Sequence, residues 1–68
     1  MKELLLNRWK LLMLRKENKL TQEEMAKSLG ITSVSYRSKE NGKKQFTENE
    51  IVKILNMFKK EANYFFSK

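Results

Sequence analysis

The sequence predicts an all-α fold, a compact bundle of four to five helices. Three observations carry that expectation. Proline is absent and glycine occurs only at Gly30 and Gly42, so helix-breaking signals are few and well placed. No long run of residues alternates between apolar and polar as a half-buried strand would. Apolar residues instead return at intervals of three and four, in segments that open on residues able to cap a helix. At 68 residues the chain is sized for one domain, taken as 1–68, with a small core whose gains are largely offset by conformational entropy.

The first helix is expected from about Glu3 to Glu17. Leu4, Leu11 and Leu14 share one face. Leu5, Leu6, Trp9, Leu12 and Met13 form a second apolar arc, more apolar surface than one side of a small domain covers. The segment "ENKL" ends this helix, and Leu20 turns back into the core. A second helix opens at Thr21, which with Glu24 reads as a capping box, and points Met25, Ala26 and Leu29 inward. Gly30 follows its last turn, where a left-handed residue suits glycine best. The third helix opens at Thr32, a good N-cap, and runs to about Glu40, with "ENGKK" and Gly42 stopping it. The fourth begins with a second capping box, Thr47 with Glu50, and carries the stripe Ile51, Ile54, Leu55 and Phe58. Phe46, just before that cap, can staple onto the following turn. The tail "EANYFFSK" fits either a short fifth helix or a docked extended segment.

Composition narrows the function. Cysteine and histidine are both absent, which removes disulfides, makes a zinc site a poor expectation and leaves the usual general base missing. Glu23 and Glu24 are neighbours on a helix and point in different directions, so they form no catalytic pair. We therefore expect no enzyme, no catalytic residues, no metal and no cofactor. The net charge of +7 points to a polyanionic partner, nucleic acid or an anionic membrane surface, with solubility alone as the plain alternative. No apolar run is long enough to span a bilayer. The start, "MKELLLNRWKLLML", loosely mimics a signal peptide, but Asn7, Arg8 and Lys10 interrupt it and no small-residue cleavage site follows; a cytoplasmic location is expected.

Two helices crossing steeply over a short turn need a small residue at the crossing, a turn residue that accepts positive φ, and an apolar plug after the turn. Ala26, Gly30 and Ile31 supply them, and the spacing Gln22, Ala26, Gly30, Tyr36 reads as a helix-turn-helix. At these residues the chain resembles the Cro/phage-repressor type of helix-turn-helix DNA-binding domain, the lambda-repressor-like (XRE) family. The matching segments are "LR" at Leu14 and Arg15, "LTQEEMA" at Leu20 to Ala26, "LGIT" at Leu29 to Thr32, "KENGK" at Lys39 to Lys43, and the F-T-x-x-E-I pattern from Phe46 to Ile51. The resemblance spans roughly Leu11 to Phe58.

That resemblance implies a five-helix DNA-binding domain acting as a transcriptional regulator, dimeric on operator DNA. It implies that Ser33, Val34, Arg37 and Ser38 face base edges. It implies phosphate contacts by Gln22, Ser35, Asn41, Lys43 and Lys44, and a buried ion pair between Arg15 and Glu40. Chemistry agrees: free N–H groups at the start of the second helix favour a phosphate, and Arg37 alone on the exposed face can make a bidentate bond to guanine. Ser33 and Ser38 are promiscuous donors, and Val34 suits a thymine methyl. Shape and backbone contacts should therefore carry much of the affinity.

Two positions depart from the family pattern. Tyr36 stands where a branched aliphatic is usual, and its ring suits that space only if its hydroxyl reaches water, a phosphate or a buried partner. Lys39 stands where another apolar group is usual, and its stem is expected to cover apolar surface while its ammonium escapes to solvent.

The surplus apolar arc and the tail need a partner, either each other or a second copy. A homodimer with Trp9, Tyr64, Phe65 and Phe66 at its interface is expected, since one helix in a groove reads too few base pairs. The reading is thus a sequence-specific double-stranded DNA-binding regulator, a Cro-like repressor of phage or mobile-element type. The alternatives are a protein-interaction module on the same fold, such as an antirepressor or antitoxin-like adaptor, and a peripheral membrane binder using Trp9.

Overall fold

A computed structural model describes residues 6–65. Among the described residues four α-helices follow one another, α1 (Arg8–Glu17), α2 (Gln22–Leu29), α3 (Ser33–Glu40) and α4 (Glu48–Phe58), with a short 3₁₀ turn at Ala62–Tyr64. No strand occurs among the described residues, and the all-α expectation holds.

Helix starts follow the capping chemistry. Thr21 and Thr47 each accept from the backbone N–H three residues on, and Glu24 and Glu50 reach back to complete both capping boxes. Thr32 accepts from the Ser35 N–H at 3.0 Å. The start of α1 differs from expectation. Leu6 and Asn7 lie outside the helix, which begins at Arg8 because the Asn7 side chain accepts from the N–H groups of Trp9 and Lys10. Leu4 and Leu5, and the expected helical segment before Leu6, lie outside the described residues.

All four helices end in the same way. A left-handed residue (Lys19, Gly30, Gly42 or Lys59) donates its N–H three residues back. The next residue donates five back: Leu20 to Arg15, Ile31 to Ala26, Lys43 to Ser38 and Lys60 to Leu55. This Schellman geometry satisfies the last carbonyls. At Lys19 and Lys59 the positive φ of 56° and 55° is strained for a residue with a Cβ.

The core gathers Leu11 and Leu14 of α1, Met25, Ala26 and Leu29 of α2, Tyr36 of α3, Ile54 and Leu55 of α4, and Phe65 of the tail. Leu6, Leu20, Ile31, Phe46, Ile51 and Phe58 pack around it. Ala26 of α2 is nearly fully buried, and α2 shares its most extensive contact with α3. The tail docks on the start of α1: the Asn7 N–H donates to the Phe65 carbonyl at 3.0 Å, and the Lys10 ammonium to the Tyr64 carbonyl at 2.9 Å. Phe65, expected at a dimer interface, is instead only 1% exposed and sits inside the protomer's own core. It meets Tyr64 edge to face at 5.2 Å.

Candidate nucleic-acid interface

The third helix presents two faces, and its sequence sorts them by chemistry. Tyr36 and Glu40, one turn apart, point inward and are buried. Ser33 and Arg37, and Val34 and Ser38, form turn-spaced pairs on the remaining surface. Val34 and Arg37 are exposed, while Ser33, Ser35 and Ser38 are half-buried. Ser35 gives its backbone N–H to the Thr32 cap. The Ser38 carbonyl collects the N–H groups of Lys43 and Lys44 at 2.9 and 3.3 Å, so both lysines fold back against the end of α3. Asn41, Lys43 and Lys44 are all exposed. Arg37 and the two lysines thus lie on one continuous piece of chain, the outward part of α3 and its following loop.

The inward face is held by a polar cluster. Glu40 accepts from Arg15 Nε at 2.8 Å and Nη2 at 3.2 Å, from Gln22 Nε2 at 2.8 Å, and from the Tyr36 hydroxyl at 2.7 Å. The Arg15–Glu40 ion pair joins α1 to α3, and Arg15 also donates to the Leu20 carbonyl at 2.9 Å. Burial works against the charge on Glu40, but the hydrogen bonds from Arg15, Gln22 and Tyr36 outweigh it and hold its carboxyl below the usual range. The bond to Glu40 raises the Arg15 pKa against the opposing effect of burial. Burial first, and then the negative Glu40, push the Tyr36 hydroxyl well above its ordinary value, so it stays a donor.

The two unusual positions now have reasons. Tyr36 is fully buried, with its ring edge-on to Phe46 at 5.8 Å. Its hydroxyl finds the buried partner it needs in Glu40. Lys39 does not send its ammonium to solvent. It pairs with both oxygens of Glu50 at 2.7 Å and ties α3 to the capping box of α4. Burial opposes the Glu50 charge, yet the bonds from Lys39 and from the Thr47 backbone bring its pKa below the ordinary value. Lys39 is thereby removed from the free basic charge that the sequence offers along α3.

Gln22 is half-buried, and its side chain turns toward the cluster: Nε2 donates to Glu40, and Oε1 accepts from Arg37 Nε at 3.3 Å. One basic residue is added to those read from the sequence. Arg8, at the start of α1, donates through Nη1 to the Asn41 carbonyl at 2.7 Å, and it lines a shallow cleft with Gly42 and Lys44. Its partner lies 33 residues away, a contact with no local signal. Of the expected dimer residues, Trp9 is 74% exposed and is joined one turn later by the exposed Met13, whereas Tyr64 is half-buried under the cations of Lys10 and Lys60. Phe66 lies outside the described residues.

The family model for a helix-turn-helix matches residues 11–65. The chain belongs to the Cro/C1-type (XRE) helix-turn-helix family. The match begins where the sequence resemblance begins and extends past Phe58 to include the tail turn and Phe65. Membership makes this chain a DNA-binding helix-turn-helix regulator, in a family that is typically non-enzymatic. No curated protein and no solved structure matches it. Among the described residues, no helix is long and apolar enough to cross a membrane, and no cluster of acidic side chains is arranged to hold a metal ion.

Proposed function

We propose that this protein is a sequence-specific repressor of the Cro-like kind, of phage or mobile-element type, that binds double-stranded operator DNA as a homodimer. The observation that carries the reading is the division of α3. Its inner residues are locked to the core through Glu40, while Ser33, Val34, Arg37 and Ser38 are left for base edges. Arg37 is the base reader for guanine, and the serines and Val34 add weaker preferences. Asn41, Lys43 and Lys44, with Ser35 at the flank, take phosphates. Gln22 contributes to phosphate binding through its backbone N–H in the first turn of α2, where the helix dipole favours an anion. The Cro-like and phage-type parts of the reading rest on the sequence resemblance.

The exposed Trp9 and Met13 favour a second copy against the outer face of α1. Dimerisation sets two α3 helices about one helical turn of DNA apart. The same exposed pair is the observation that favours the second reading, an adaptor that uses this fold to bind protein. Binding of the chain to a panel of duplexes separates the two. Arg37→Ala is expected to lose discrimination among sequences, and Lys44→Ala to weaken binding to all of them with a shallower salt dependence. Equal effects of both substitutions on every duplex would remove Arg37 as base reader. An absence of salt-sensitive duplex binding would favour the adaptor. Sedimentation that shows only monomer at high micromolar concentration, with and without operator DNA, would remove the dimer.

A further inference from the structure

We propose that Gln22 is a positioning residue for sequence reading, fixing the guanidinium of Arg37 by tethering it to the buried Arg15–Glu40 pair. The inference rests on the assignment of Arg37 as base reader and deepens it. The side-chain amide of Gln22 bridges two groups of opposite character. Glu40, as a carboxylate, only accepts, and Arg37 Nε only donates. One orientation of the amide therefore satisfies both, with Nε2 toward Glu40 at 2.8 Å and Oε1 toward Arg37 Nε at 3.3 Å. Glutamine is the residue type that does this without adding charge: a carboxylate at position 22 would repel Glu40, and a cation would repel Arg37.

The far end of the tether is rigid. Glu40 is 6% exposed and is held at the same time by Arg15 and the Tyr36 hydroxyl. An exposed arginine ordinarily samples many rotamers, and ordering it on a base offsets part of the binding energy. Fixing Nε in the free protein lowers that cost. It also selects which edge of the guanidinium is presented. With Nε engaged, the two terminal nitrogens remain for O6 and N7 of guanine, an end-on approach. Gln22 thereby acts on base choice through Arg37 and not through its own contact with DNA.

The test compares Gln22→Met, which keeps the length and volume of the side chain, with the unchanged protein. The two are measured on an operator selected from random duplexes and on the same operator altered at the guanine that Arg37→Ala identifies. The tether predicts that Gln22→Met reduces discrimination at that one base pair by about fivefold or more, the lower end of what a bidentate guanine contact supplies. The salt slope stays unchanged. In the Gln22→Met, Arg37→Ala double variant the first substitution should have no further effect. Equal weakening on both duplexes, with the salt slope reduced by about one phosphate's worth, would make the Gln22 side chain a phosphate clamp and overturn the inference. Unchanged discrimination in Gln22→Met, alongside lost discrimination in Arg37→Ala, would overturn the tether and leave the base reader standing. Unchanged discrimination in Arg37→Ala would overturn both. A DNA-independent readout guards against a variant that folds poorly: the Arg37 Nε–H should exchange with solvent more slowly in the unchanged protein than in Gln22→Met. Equal exchange rates would count against the tether.

Discussion

Removing the charge at Glu40 while keeping its shape is the sharpest perturbation of the fold's polar centre. In Glu40→Gln one of the two acceptor oxygens becomes an NH₂ donor. Each oxygen now receives two bonds, Oε2 from Arg15 Nε and Tyr36, and Oε1 from Arg15 Nη2 and Gln22. Whichever way the new amide turns, its NH₂ faces one Arg15 N–H that can only donate, the Tyr36 hydroxyl or the Gln22 amide must reverse to accept from it, and the Arg15 guanidinium loses its counter-charge. The pair is largely buried, with side chains 12% and 5% exposed. Breaking such a pair from one side costs about 3 kcal/mol, at the lower end of the usual range because Arg15 keeps some solvent and its bond to Leu20. Tyr36→Phe removes a single bond to the same carboxylate and leaves no donor orphaned, so it costs about 1.5 kcal/mol. For a domain of this size the two losses correspond to falls in melting temperature of about 12–24 °C and about 6–12 °C. Thermal and urea unfolding followed by circular dichroism read both. If Glu40→Gln destabilises no more than Tyr36→Phe, Glu40 is not the hub that its four bonds suggest.

Further outcomes follow from the same geometry. Glu40 and Glu50 both have depressed pKa values in the folded chain, so their contribution is complete above the unfolded carboxyl value, near 4.5. It is lost as pH falls through the folded values. The urea midpoint should therefore drop below about pH 5, and less steeply in Glu40→Gln. Lys39→Met strands Glu50 and should cost about 1–3 kcal/mol in urea unfolding, whereas Lys53→Met on the exposed face of α4 should change stability by less than about 0.5 kcal/mol. Lys59→Gly relieves a left-handed lysine at the end of α4 and should raise stability by about 0.5–1 kcal/mol, with duplex affinity within twofold of the parent by roughly the same measure of a distant surface change.

What was readable in advance depended on the range of the interaction. The capping boxes at Thr21 and Thr47 and the left-handed Gly30 act over three to five residues, and each lies where its local signal puts it. The same is true of the buried Met25, Ala26 and Leu29. The start of α1 was legible too, in Asn7, but the leucines before it carry a helical pattern that masks the cap. The link between Tyr36 and Glu40 spans one helical turn and gives a reason for an aromatic in an aliphatic place. Lys39 with Glu50, Arg8 with Asn41, and Phe65 in the core depend on how distant elements meet. No periodicity encodes those contacts. The tail was ambiguous for the same reason: its 3₁₀ turn is held by docking on α1, not by its own propensity. At the candidate interface, the basic and polar residue types were visible, but the commitment of Gln22 and Lys39 to internal partners was not.

The central claim is that α3 reads DNA sequence from a locked position in a dimer. Selection of bound sequences from random duplex DNA, at two salt concentrations, tests it most directly. The expected outcome is enrichment of an inverted repeat whose half-sites are centred about 10 base pairs apart, with guanine prominent in each half, and affinity that falls steeply as salt rises. Recovery of no enriched sequence would contradict it, as would binding that is insensitive to salt.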